Sequence, residues 1–431
     1  MREAQNSPEN QRGRPSGAQI FLQELRVPSP KHYTGWRRIS QTFLIPILAI
    51  FSGLVMGGFF IILTSPEVYA AFSESIVAGI QTSFQVVWTA YKALFTGAFG
   101  SPTRMIAALQ SGDALAIRRA FNPFLESLVA STPYIFAGLS VAFAFQAGLF
   151  NIGAEGQIFI GAIFAAFVGY AFTGLPMIIH LPLALLAGAI GGGIWGFIPG
   201  WLKAKTGGHE VINTIMLNYI AFRLSDWLLR GPMQRPESFN PVSPTIMPSA
   251  FLPKFFGDPI RFHLGFFVAL GVAVLVWWFL YKTRWGFDHR AVGANPHASR
   301  YAGMNIVIST ILAMTLAGAL AGLAGTNEVL GVNHNLAMAF SSGYGFDAIA
   351  LALLGRSHPF GVVLAALLFG FLRNGATSMQ LAAGIPIDII SIIQAFILAF
   401  VAAPAIIRTI YRLRTPVAGE EGVLVRGWAG D

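Results

Sequence analysis

Asn151, Glu155 and Gln157 stand among small residues in the run Gly148-Leu149-Phe150-Asn151-Ile152-Gly153-Ala154-Glu155-Gly156-Gln157, between two long apolar stretches. A carboxylate beside membrane-length apolar runs is costly to keep, which makes it a functional candidate. Asn151 can cap a helix start, and Glu155 in the first turn would be favoured by the helix dipole. The same groups serve equally well as a cap that holds neighbouring helices together. A second polar set is Asn213 and Asn218 in Glu210–Tyr219, and a third is Asp347, preceded by Ser341, Ser342 and Tyr344. Amides, hydroxyls and aromatic faces suit an uncharged polyhydroxylated solute better than an ion, although hydrogen bonding between helices is the alternative for each residue.

Catalytic chemistry finds little support. Ionisable groups inside or bordering the apolar runs are Glu155, Glu210, Arg223, Asp226, Glu328, Asp347, Arg356, Arg373 and Asp388. Among them there is no His-Glu-x-x-His pattern, no Gly-x-Ser-x-Gly elbow and no Walker A loop. The 8 histidines are scattered and there is no cysteine, which excludes a disulfide, a thiolate metal site or a cysteine nucleophile. The chain therefore has no means of hydrolysing ATP itself.

A different kind of element is 283–306. Asn295 before Pro296 predicts a helix start, cap then first residue, and Gly303 predicts its stop. A short, rigid helix of about two turns, flanked by basic residues, suits a docking element for a partner as well as it suits an ordinary loop helix.

The elements that must hold these groups follow from composition. The chain is 55% hydrophobic and only 11% charged, with a mean hydropathy of +0.62, against roughly 25% charged in soluble domains. Apolar blocks of about 18 to 22 residues match the length of a bilayer-crossing helix, whereas alternating segments of a β-barrel are missing. The class is an all-α polytopic membrane protein of about ten spans, at 43–63, 128–147, 157–174, 181–201, 211–229, 264–281, 307–325, 345–355, 359–373 and 387–405. Residues 1–42 read as a disordered basic arm, 43–408 as the membrane domain and 409–431 as a tail. Within the membrane domain, 64–125 reads as an external segment with interfacial helices, with Val86–Phe99 as a poor span the alternative, and 231–262 as an external loop.

The net charge of +9 does not point to nucleic acid. Basic residues cluster in the arm, at Lys203/Lys205, at 282–300 and in the tail, all on one face under the positive-inside rule. Both termini are then cytoplasmic. Gly188, Gly192, Gly196 and Gly200 recur every fourth residue, a stripe that lets another helix approach closely. A faint echo links Gly153-Ala154-Glu155 to Gly345-Phe346-Asp347, the kind of internal symmetry found in transporter halves.

Four segments in order, 148–157, 210–219, 291–306 and 345–375 with Leu353-Leu354-Gly355-Arg356-Ser357-His358-Pro359-Phe360-Gly361, resemble the permease subunits of ABC importers of the branched-chain amino acid and simple-sugar group, nucleoside/simple-sugar branch. The resemblance covers about residues 95–405 and implies a type II-like importer permease of a bacterial inner membrane. It implies translocation of nucleosides or related simple sugars past Asn151, Glu155, Gln157, Asn213, Asn218 and Asp347. It makes 283–306 the coupling segment, with Asn295, Pro296, Arg300 and Gly303 in that role. The partners implied are a cytoplasmic ATPase that binds the ATP and magnesium, a second permease subunit, and a periplasmic or lipoprotein substrate-binding protein. No cofactor is implied in this chain, and neither the arm 1–42 nor the 231–262 loop belongs to the shared pattern. The rival readings are a proton-coupled secondary transporter working through Glu155 or Asp347, and a membrane-embedded transferase, for which the catalytic clusters are missing.

Overall fold

Prolines or small polar caps open many of the helices. The computed structural model describes residues 35–257 and 259–413, and among these the regular structure is helical. The arm 1–42 lies outside the described residues up to position 34, as does the tail beyond 413. The helices are α1 Gly35–Thr64, α2 Pro66–Glu74, α3 Ile76–Phe99, α4 Pro102–Ser111, α5 Ala114–Gln146, α6 Ala154–Ala171, α7 Met177–Thr206 and α8 Glu210–Leu229. They continue as α9 Gly265–Lys282, α10 Arg284–Ala294, α11 Pro296–Tyr301, α12 Ile306–Asn327, α13 Tyr344–Leu354, α14 Pro359–Ala383, α15 Asp388–Ala402 and α16 Pro404–Ile410. Asp113 caps α5 by accepting from Leu115 and Ala116 N–H, and Asn305 caps α12 from Ile308 N–H.

Among the described residues, seven helices are long and apolar enough to cross a membrane, or eight if α15 and α16, bent by 90°, form one span. The two further segments in the count of about ten, 211–229 and 345–355, are helical as well. They stand apart because α8 carries Asn213, Asn218, Arg223 and Asp226, and because α13 has only 11 residues. Within 64–125 the structure places the 24-residue α3. This helix is more than a surface element, since Leu94 and Ala98 pack against Gly375 of α14 and Tyr91 donates to the Leu54 carbonyl of α1.

The glycine stripe of α7 does what its spacing predicts. Gly188, Gly192 and Gly196 lie on Gly322, Gly318 and Thr326 of the antiparallel α12, so closely that a Cβ at Gly192 would overlap the α12 backbone. α5 packs in the same way against α14, where Gly370 sits on Ser131. The Asn374 amide ties α3, α5 and α14 together by donating to Gly97 O, Pro123 O and Ser127 Oγ at 3.0–3.1 Å.

Two departures from continuous helix position the site. Between α5 and α6 the backbone leaves the helix at Ala147 and re-enters at Ala154. After α12 comes a π-helical turn, Glu328–Asn333, and then irregular chain to Gly343 before α13 begins. The Lys203/Lys205 and Lys282 ends of α7 and α9 lie on one side, here called the basic side. α5 runs toward that side and α6 away from it, while α12 runs away and α13 returns. The two broken units thus have opposite directions, and the sequence echo at Glu155 and Asp347 falls at corresponding points of each.

Candidate functional site

α5 ends in a Schellman turn. Gly148, at φ +70°, donates to Phe145 O, and Leu149 donates to Ala144 O. The chain then climbs away from the basic side, fully buried at Asn151. Asn151 Nδ2 donates to Gln157 Oε1 at 2.9 Å, and its Oδ1 accepts from Gln157 Nε2 at 3.2 Å and from Gly153 N–H at 3.1 Å. The two amides are therefore spent on each other. The cap expected from Asn151 is supplied by another helix, since Asn218 of α8 accepts from Gly156 N–H at 2.8 Å and donates to Ile152 O at 2.9 Å. Asn218 lies eight residues into α8, or about 12 Å along its axis, so α6 starts deep between the helices.

α13 starts at the same depth. Glu155 Oε2 accepts from Gly345 N–H at 2.6 Å, and a Cβ on Gly345 would meet Glu155 Cα at 2.5 Å. The first turns of two half-helices thus abut, with one carboxylate in the dipole of both. Glu155 is only 3% exposed, and its carboxylate bonds to backbone. A short way along α13, Asp347 Oδ2 accepts from Tyr134 Oη of α5 at 3.0 Å, and the Tyr134 and Tyr344 rings meet edge to face at 5.0 Å. Tyr344 is within electrostatic reach of Glu155, Asp347, Arg373 and Glu328, and Glu328 is within reach of Arg261. Arg261 in turn grips Glu126 through Nη2 at 2.6 Å and Nε at 3.1 Å. A ladder of ionisable and phenolic groups therefore runs from the side opposite the basic one, at Arg261 and Glu126, inward to Asp347 and Glu155.

The structure brings Asn151, Glu155, Gln157, Asn218 and Asp347 into this region. Asn213 lies apart, beside Gly208 and one turn from Glu210, whose carboxylate pairs with Lys203 at 2.8 Å near the basic side. Tyr134 was missed in the sequence. Its signal was a tyrosine directly after Pro133 in an otherwise apolar span, a position where a phenol needs a partner. No group of three or more residues able to hold a metal ion occurs among the described residues.

The second candidate surface is α10–α11. Asn295 Oδ1 accepts from Ala298 N–H at 3.0 Å, Pro296 is the first residue of α11, and Gly303 at φ +81° closes it, with Gly303 donating to Arg300 O and Met304 to Ser299 O. Arg300 is exposed and Tyr301 is 95% exposed. The rest of the segment is held firmly. His289 Nε2 donates to Phe143 O at 2.8 Å, and its ring packs on Phe143. Burial pushes its imidazole down to about 4, against a smaller upward pull from the Phe143 hydrogen bond. Gly293 lies on the 146–148 backbone, at the root of the Asn151–Gln157 run. Gln146 also donates to Ser357 O at 2.9 Å, which fastens the far end of α13 to the same corner.

The family model described as the permease component of branched-chain amino acid transport systems matches residues 124–402. A guanosine ABC transporter permease protein of Bacillus subtilis is 40% identical over 376 residues, 86% of this chain and 96% of that protein. A nucleoside ABC transporter permease protein of Lactococcus lactis is 33% identical over 396 residues, covering 90% and 98%. A glucose ABC transporter permease protein of Haloferax volcanii is 39% identical over 284 residues, covering 64% and 74%. No solved structure matches the chain.

Proposed function

Since the chain belongs to the family of branched-chain amino acid transport system permease components, we propose that it is the membrane subunit of an ATP-driven importer of nucleosides or related simple sugars. The substrate class comes from the relatives named as guanosine, nucleoside and glucose permeases. The observation that carries a translocation path in this chain is the meeting of α6 and α13 at Glu155 and Gly345. Irregular backbone at membrane depth is tolerated only where protein covers it or where it lines a water-filled cavity. The 334–343 stretch, with Ala339 and Ser342 exposed, is such a backbone. Its exposed face is the side on which a second permease subunit, a copy or a homologue, would complete the path.

In this reading Asp347, Tyr134 and Tyr344 meet the solute, and Asn151, Gln157 and Asn218 hold the helix start. Glu155 acts mainly as the joint between the two half-helices. The basic side faces the cytoplasm, where a separate ATPase binds ATP and magnesium and docks on α10–α11 through Arg300 and Tyr301. A movement of that segment reaches Gly148 through Gly293, then the Asn151–Gln157 run, and finally the joint. A substrate-binding protein delivers solute to the opposite side.

The test is reconstitution in vesicles with the ATPase and binding protein. ATP-dependent uptake of a nucleoside or sugar is expected. Uptake driven by a proton gradient with no ATPase present would instead establish a secondary transporter.

A further inference from the structure

Where α12 ends, three buried polar atoms have no protein partner among the described residues: Asn327 Oδ1 and Nδ2, and His263 Nε2, and Asn327 Oδ1 and the His263 ring both lie against Gly265. Both side chains are 1% exposed. Each atom left in this state costs about 1–3 kcal/mol, so their retention calls for a physical reason. His263 Nδ1 accepts from Gly265 N–H at 3.1 Å, which assigns the proton to Nε2 and makes that atom a donor. The imidazole is neutral, because burial first, and then the nearby His334, Lys254 and Arg261, push it down to about 4. Glycines let the backbone close tightly over the two side chains. A Cβ on Gly265 would run into Asn327 Oδ1, and one on Gly331 would come within 2.6 Å of His263 Nε2. The site sits at the π-helical turn Glu328–Asn333, a deviation that frequently marks function. Glu328, the residue after Asn327, leads on to Tyr344 and so to the polar ladder.

We infer that Asn327 and His263 form a hydroxyl-binding station at the outer end of the path, which grips adjacent hydroxyls of a polyhydroxylated solute on its way in. The chemistry matches a vicinal diol. Two N–H donors of different origin and one amide oxygen suit two hydroxyls, each of which both donates and accepts. An apolar solute would leave all three atoms unpaired, while an anion would satisfy only the donors and a cation only the oxygen. In the conformation described the atoms are shut in, so the station opens to solute when the 334–343 stretch and the loop above it move. The inference rests on the transport reading above and adds to it the part of the solute that is recognised.

The experiment compares guanosine with 2′,3′-dideoxyguanosine in the reconstituted transporter, for the wild type and for Asn327→Leu. Leucine keeps the branched outline of asparagine but is larger and makes no hydrogen bonds. The same binding protein serves both forms, so its own preference cancels in the comparison. Asn327→Leu is expected to reduce the preference for guanosine about tenfold, in line with a lost hydrogen bond. Its melting temperature should stay close to that of the wild type, the removal of unpartnered polar atoms offsetting the larger side chain. An unchanged preference in a folded variant overturns the inference. A lower melting temperature with unchanged preference also overturns it, because the amide would then be held internally; if Asn327→Leu fails to fold, Asn327→Ala takes its place, with the same loss of preference expected and an unchanged preference again overturning the inference. Absence of ATP-driven uptake of guanosine by the wild type, with glucose also refused, would instead sink the transport reading.

Discussion

Replacing Glu155 by alanine removes the acceptor of Gly345 N–H, at the point where α6 and α13 meet. A hydrogen bond to a charged group contributes about 1.5–3 kcal/mol, and every 1.4 kcal/mol is about tenfold in an equilibrium. The balance between joined and parted half-helices should therefore shift by about ten- to a hundredfold. Initial rates of ATP-driven uptake, normalised to assembled complex on size exclusion, should fall below about a tenth of wild type, while the complex still assembles through its other packed helices. Glutamine keeps an oxygen in the same place and loses only the charge assistance, roughly half of the bond. The expected order is therefore Glu, then Gln, then Ala. Wild-type uptake by Glu155→Ala would refute the joint, and Glu155→Gln as inactive as Ala would show that the negative charge itself is required.

Arg300→Glu should weaken co-purification with the ATPase without altering the melting temperature, because Arg300 is exposed at the end of α11; unchanged co-purification would remove α11 from the docking surface. Gly293→Ala should lower the melting temperature and uptake together, at a cost of about 1–3 kcal/mol or more, since its Cβ would lie 2.6 Å from the Ala147 carbonyl carbon; a wild-type melting curve would contradict the packing described. His289, held neutral with a folded value near 4 against 6.5, binds its proton more readily in the unfolded chain. Its contribution therefore falls as pH drops from about 6.5 toward 4, by about 2 kcal/mol at pH 5. Melting temperature measured across this range should decline less steeply for His289→Phe than for wild type, and equal slopes would argue against a buried neutral imidazole.

Several features could be read directly along the chain because their causes are local. Asn295, Pro296 and Gly303 specify where α11 starts and stops through backbone geometry within a few residues, and the structure has that helix at that place. The four-residue glycine spacing of α7 marks one face of a helix regardless of what lies against it, and that face meets α12. The Asn151 run was legible as a polar helix start, but its cap comes from Asn218, 62 residues away. Nothing local distinguishes that asparagine from Asn213, which faces Gly208 instead.

By itself the sequence determined that the chain is a multi-pass helical membrane protein, where many of its helices begin, and which polar groups are too costly to be accidental. Hydropathy, capping and the price of a buried charge act residue by residue and need no knowledge of the neighbours. Only the tertiary structure decided that Glu155 meets Gly345, that Tyr134 holds Asp347, and that Gly293 rests on Gly148. These pairs lie 190, 213 and 145 positions apart. Two helices that break inside the membrane must find partners for their exposed backbone groups, and the sequence does not say which of several buried polar residues will supply them. Close packing of α5, α12 and the two half-helices makes that choice.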